Sequence, residues 1–202
     1  MSDKPWKKHE RETARVFGVP RRTRGDNFSR SDVEVLVDIG TWLDKACHPS
    51  YLIVECKYRQ EIGIVTSFLK GSKEITDRIT ILRVGDFILC RLNDIKDVIE
   101  DMVFSTLDIV ELSDKYSILY DKKKEPKYLR EYHEQASEYS EAIPQSSYSY
   151  PIVCMARAST TGRIVAIHGD VIQKMRQDLC LQNDIQKSYK KKTGQEKEIN
   201  NP

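Results

Sequence analysis

Three acids and a lysine are the residues best suited to chemistry in this chain: Glu10, Asp32, Glu55 and Lys57. Carboxylates brought together hold hard, oxygen-preferring cations such as Mg²⁺, usually with several waters retained. Such a cation acidifies a water nucleophile and neutralises charge on a phosphodiester. A lysine beside it can hold or deprotonate that water, or stabilise charge developing on phosphorus. Glu55 and Lys57 lie two apart on an apolar run, YLIVECKY, and share one face if that run is a strand. Such a pair is a weak signal alone, since an edge-strand salt bridge gives the same pattern and is worth little. It gains weight from Asp32 at the start of the preceding strand and from Glu10 within an otherwise apolar helical stripe.

Other residues are weighed beside these four. Glu34 and Asp38 alternate with Asp32 and are further ligand candidates, Glu34 being more simply a surface acid. Arg21, Arg22, Arg24 and Arg30 lie on a loop leading into Asp32, where guanidinium forks suit phosphate oxygens. Ser29 and Ser31 could add hydroxyl contacts. Lys7, Lys8 and Arg11 add positive charge along the first helix, where His9 is expected to be exposed. Tyr128, Tyr132, Tyr139, Tyr148 and Tyr150 could stack on bases, although packing is the commoner use of helix-face tyrosines.

The elements that must position these residues follow from periodicity. Residues 5–17 read as a helix with Trp6, Glu10, Thr13, Ala14 and Phe17 on one face. VEVLVDI alternates as a strand, YLIVECKY follows as a second, and antiparallel pairing of the two would bring Asp32 towards Glu55. A helix over 63–75 is expected next. Then comes a strand pair, ITILRV and FILCRL, about Gly85-Asp86, and a helix N-capped by Asn93. LDIVEL and YSILY suggest further strands, and 127–143 reads as a helix. IVCMAR and RIVAIH read as strands joined by ASTTG, with a short helix after them.

Composition limits the function classes. The 202 residues suit one domain, and the formal net charge is only +2. That total conceals an asymmetry. Residues 1–30 carry nine Lys or Arg against four acids, while 61–120 carry seven against eleven. A basic N-terminal segment is an electrostatic footprint for a polyanion, or else a solvated basic face. No apolar run approaches a membrane span, and MSDKPWKKHERE lacks the apolar core of a secretory signal. Five scattered cysteines with no CxxC pair argue against a zinc site and fit a reducing, cytoplasmic or nucleoid setting. The polar end, 189–202, is expected to be disordered.

Asp32 followed by Glu55-Cys56-Lys57 resembles the motif of PD-(D/E)XK nucleases. The run from Lys8 to Lys57 is similar to archaeal Holliday-junction resolvases and related phage or viral nucleases. KHERETARVFG matches the helix with the acidic residue, RRTRGDNFSRSDVEV the arginine-rich approach, and YLIVECKYR the metal strand. IVCMAR with GRIVAIHGDVI matches the closing strands and helix. The resemblance implies an α/β, restriction-endonuclease-like core, a mixed β-sheet flanked by helices. In it Asp32, Glu55 and the Cys56 carbonyl bind Mg²⁺ (or Mn²⁺ as a substitute), Lys57 assists the water, and Glu10 is an accessory acid. It further implies a homodimeric endonuclease of DNA recombination or repair, cutting branched DNA such as a four-way junction. A restriction- or repair-type nuclease on linear DNA, and a non-catalytic DNA-binding module, are the alternatives. Ser31 stands where the motif has proline. Residues 61–125 are longer than a minimal resolvase needs, an expected α+β insertion within a single nuclease domain spanning 1–188. That length leaves open whether 63–75 or 127–143 is the core helix after the metal strand.

Overall fold

The structure, a computed structural model, describes residues 4–19, 35–44, 50–60, 62–72, 77–105, 114–121, 125–141, 148–158 and 162–179. Asp32, Glu34, Arg21, Arg22, Arg24, Ser29, Arg30 and Ser31 lie outside them, as do the LDIVEL strand and the 189–202 tail.

The chain is an α/β protein built on one mixed seven-stranded sheet. Its strands are β1 (Val35–Asp38), β2 (Ser50–Arg59), β3 (Ile79–Val84), β4 (Phe87–Arg91), β5 (Tyr116–Tyr120), β6 (Tyr148–Arg157) and β7 (Arg163–His168). Their spatial order is β1-β2-β6-β7-β4-β3-β5. β2 pairs antiparallel with β1 and parallel with β6, and β3 pairs parallel with β5; the remaining pairings are antiparallel. The helices are α1 (Pro5–Val16), α2 (Ile39–Trp42), α3 (Gly63–Gly71), α4 (Ile95–Phe104), α5 (Lys127–Glu141) and α6 (169–179).

Alternation along the strands divides the core into two layers. Leu52 and Val54 of β2, Ile152 and Cys154 of β6, and Val165 of β7 face Ala14 and Phe17 of α1, the apolar stripe of α4, and α6. Val153 and Met155 of β6 and Ile164 and Ala166 of β7 face α3 and α5, where Phe68 and Leu129 are fully buried. Among the described residues no helix is long and apolar enough to cross a membrane.

The stretch 61–125 supplies β3, β4 and β5, and β4 joins the sheet by pairing with β7. Gly85, at φ +56°, forms the β3–β4 turn, a left-handed conformation that glycine adopts without a Cβ clash. Three local expectations are corrected. The helix expected over 63–75 ends at Gly71. Asn93 does not cap α4; it lies in a 3₁₀ turn, Leu92–Asp94, and Asp94 precedes the helix. Ile39 leaves β1 to begin α2, and the Asp38 carboxylate accepts from the backbone N–H of Gly40 and Thr41 at 2.9 and 3.3 Å. Asp38 is therefore a helix cap, a use for which a short carboxylate is well suited.

Candidate active site

β2 carries the site because its two faces have different tasks. Leu52, Val54 and Cys56 pack towards α1, whereas Ile53, Glu55 and Lys57 point to the layer covered by α5. Glu55 is only 5% exposed. The Lys57 ammonium lies 2.5 Å from Glu55 Oε1 and donates to Gln135 Oε1 of α5 at 2.6 Å. It also sits 5.1 Å from the centre of the Tyr132 ring. Pairing and a hydrogen bond are what make a carboxylate and an ammonium tolerable at this depth. Two of the three ammonium hydrogens are thus engaged, and the third has no acceptor among the described residues.

α5 reaches this position because β2 and β6 are parallel. The crossover between parallel strands must lie over one face of the sheet, and here α5 leads directly into β6 and packs on both strands. The helix facing the Glu55–Lys57 pair is therefore 127–141, while α3, which follows β2 in the chain, packs in the same layer. β2 pairs with β6 through Glu55 and Lys57 and, among the described residues, with β1 from Tyr51 to Val54; the 5% exposure of Glu55 sets the pair apart from a solvated surface salt bridge.

β1 pairs in the register Val35↔Val54, so its first described residue lies beside the Glu55 end of β2. Asp32, three residues earlier, is outside the described residues. Glu10 is buried, 3% exposed, on α1. That helix covers the Cys56 and Cys154 face, whereas Glu55 and Lys57 point to the α5 face. The described residues thus join Glu55 and Lys57 to Gln135 and Tyr132, with Glu10 on the helix across the sheet. Among the described residues no group of three or more His, Cys, Asp or Glu side chains could hold a metal ion.

His9 corrects another expectation: it is 2% exposed. Its Nε2–H donates to the Cys154 carbonyl at 3.3 Å, and its Nδ1 accepts from Arg163 Nε at 3.2 Å. Arg163 also pairs with Glu12. Donating at Nε2 while accepting at Nδ1 requires the neutral ring. Burial, opposed by the carbonyl and reinforced by the Arg163 charge, lowers the His9 pKa to about 4. Trp6, expected in the buried stripe, is instead 40% exposed, with the Lys7 ammonium 5.4 Å from its ring centre. Of the basic residues expected to meet phosphate, Lys8 and Arg11 are exposed and Lys7 is half-buried; Lys8 lies 4.0 Å from Glu12.

Gln135 and Arg163 were not legible as site residues. A polar side chain three residues after Tyr132 on the same helix face was the available signal for Gln135. Among the tyrosines, Tyr150 is wholly buried and donates to Asp178 at 3.1 Å, while Tyr128 and Tyr132 pack with ring centres 5.7 Å apart.

Comparison with protein-family models, with curated proteins and with solved structures finds no match to this chain.

Proposed function

We propose that this protein is a Mg²⁺-dependent DNA endonuclease with a restriction-endonuclease-like core, acting as a homodimer on branched or four-way-junction DNA in the cytoplasm or nucleoid. The observation that carries the reading is the buried Glu55–Lys57 pair on β2, alongside the parallel strand β6 that is reached through α5, with β1 antiparallel to the residues just before it. The donors are of the right type for a hard cation: the buried Glu55 carboxylate and the Cys56 carbonyl, joined by Asp32 from the sequence motif. Bound there, Mg²⁺ would lower the pKa of a water and neutralise phosphodiester charge.

The chain's own residues do the rest. Lys57, held by Glu55 and Gln135, keeps an ammonium hydrogen for the attacking water or a phosphoryl oxygen. Tyr132 covers that ammonium and limits the water around it. Lys7, Lys8 and Arg11, with Arg21, Arg22, Arg24, Ser29 and Arg30, bind the phosphate backbone irrespective of sequence, giving affinity that falls steeply with salt. A two-fold assembly suits symmetrical cleavage of two strands.

The test is incubation with a four-way junction, a matched linear duplex and single-stranded DNA, in Mg²⁺ or EDTA. Wild type should cut the junction in Mg²⁺ alone, and Asp32→Asn and Lys57→Ala should bind it without cutting. Equal cutting of linear duplex would remove junction selectivity. No cutting of any substrate would overturn the enzyme reading.

A further inference from the structure

Beyond Lys57, β2 continues to Arg59, on the same face by alternation and, at ~3.3 Å per residue, about 6.6 Å farther along the strand. Directly opposite in the parallel ladder is Arg157 of β6. Two like charges in register on neighbouring strands repel. Among the described residues no acidic side chain pairs with Arg59, which is exposed. Arg157 is held firmly: Nη1 donates to Thr66 Oγ1 of α3 at 2.7 Å, and Nε donates to the Gln60 carbonyl at 3.4 Å. Thr66 is itself oriented, its hydroxyl donating to the Ile62 carbonyl at 3.3 Å. The strand end is tied in turn by the Ala158 N–H donating to the Arg59 carbonyl.

We infer that Arg59 and Arg157 form a phosphodiester subsite that grips the backbone of a nucleic-acid strand one phosphate away from the group presented to Lys57. An anion between the two guanidiniums turns their repulsion into two charge-assisted contacts, and guanidinium forks match phosphate oxygens. Spacing along β2 places this grip in line with Glu55 and Lys57, so it sets the register of the strand at the reacting centre. The subsite rests on the nuclease reading for the identity of the strand, but it is a binding site and is measured without turnover.

The experiment is fluorescence anisotropy of a labelled oligonucleotide and of a labelled junction, in EDTA, across 0.05–0.4 M salt, for wild type, Arg59→Gln, Arg59→Lys and Arg157→Gln. Each variant's thermal melt verifies its folding; Arg59→Gln, at an exposed position, serves if Arg157→Gln unfolds. One phosphate contact contributes a salt slope of roughly 0.7–0.9, so its loss weakens binding about five- to eightfold at 0.1 M salt relative to 1 M. The expected result is that loss for Arg59→Gln, a slope smaller by just under one, and recovery of the slope in Arg59→Lys. Wild-type affinity and slope in Arg59→Gln, with Lys57-dependent cleavage intact, would overturn the subsite and leave the nuclease standing. Salt-dependent binding that Arg59→Gln weakens, in a protein that cuts nothing, would support the subsite and overturn the nuclease. Inorganic phosphate stabilising wild type but not Arg59→Gln, with no oligonucleotide bound, would reassign the pair to a free anion and overturn the proposal.

Discussion

The buried His9 makes stability depend on pH in a way that can be calculated and measured. In the folded protein its ring is neutral, donating to the Cys154 carbonyl and accepting from Arg163, with Glu12 completing the charge around it. Its pKa is lowered from 6.5 to about 4. As pH falls through 6.5 the unfolded chain takes a proton that the folded chain refuses until about pH 4. The unfolded state therefore binds more protons across this window, and stability falls on acidification. At about 1.4 kcal/mol per pH unit, the window corresponds to about 3 kcal/mol, fully present above pH 6.5 and lost by pH 4. His9→Gln supplies a non-titrating amide that can donate to the same carbonyl and accept from the same guanidinium. Urea unfolding followed by circular dichroism at pH 7, 6, 5 and 4 should show wild type losing about 3 kcal/mol more than His9→Gln. The carboxylates common to both proteins cancel in this difference. A wild-type minus His9→Gln difference that stays flat from pH 7 to 4 would refute the neutral, two-bond imidazole. An NMR titration of the His9 ring with a midpoint near 6.5 would do the same.

Four further outcomes are expected. Gln135→Ala removes one hydrogen bond from Lys57, worth about 1 kcal/mol and so about a fivefold fall in single-turnover cleavage, with DNA affinity in EDTA unchanged; loss of affinity without loss of rate would contradict that role. The double variant Glu55→Leu/Lys57→Met replaces a buried ion pair by apolar groups and should unfold in urea at or above the wild-type midpoint while cutting no DNA. Asp38→Ala should cost about 1 kcal/mol in the same unfolding assay through the lost cap of α2 and leave Mg²⁺-dependent cleavage unaltered; abolished cleavage would return Asp38 to the metal site. Gly85→Ala places a Cβ at φ +56° and 2.5 Å from Glu125 Oε2, so its urea midpoint should fall by the equivalent of about 1 kcal/mol or more.

What was legible in the sequence depended on distance along the chain. Alternation in YLIVECKY placed Glu55 and Lys57 on one face, and Gly85-Asp86 marked a hairpin, because both patterns close within a few residues. The side of the sheet that a helix covers is a property of crossovers between distant strands. Gln135 is 78 residues from Lys57, and periodicity carries no information over that span. The same limit explains α1. Its helical stripe was correct at Glu10, Thr13, Ala14 and Phe17, but the buried member at its N-terminal end is His9 rather than Trp6. A tryptophan is the more apolar choice, yet His9 meets a strand carbonyl on one side and an arginine from β7 on the other. Long-range hydrogen bonds decided a position that local hydrophobicity would have given to the indole.

The ion pair on β2 bears on function through its position in the sheet. An edge-strand pair would be solvated, cheap to keep and uninformative. This one lies alongside β6 and beneath α5, with its carboxylate 5% exposed. Desolvating two charges costs several kcal/mol per ion, and their mutual attraction returns much of that without a clear net gain over apolar side chains. Stability therefore gives little reason for a Glu and a Lys on a strand whose other face is leucine, valine and cysteine. The arrangement does hold an ammonium at a fixed point, with Glu55 and Gln135 engaging two of its hydrogens and Tyr132 shielding it. An ammonium so held meets an incoming anion without first reorganising, the property that makes preorganised charge effective in catalysis.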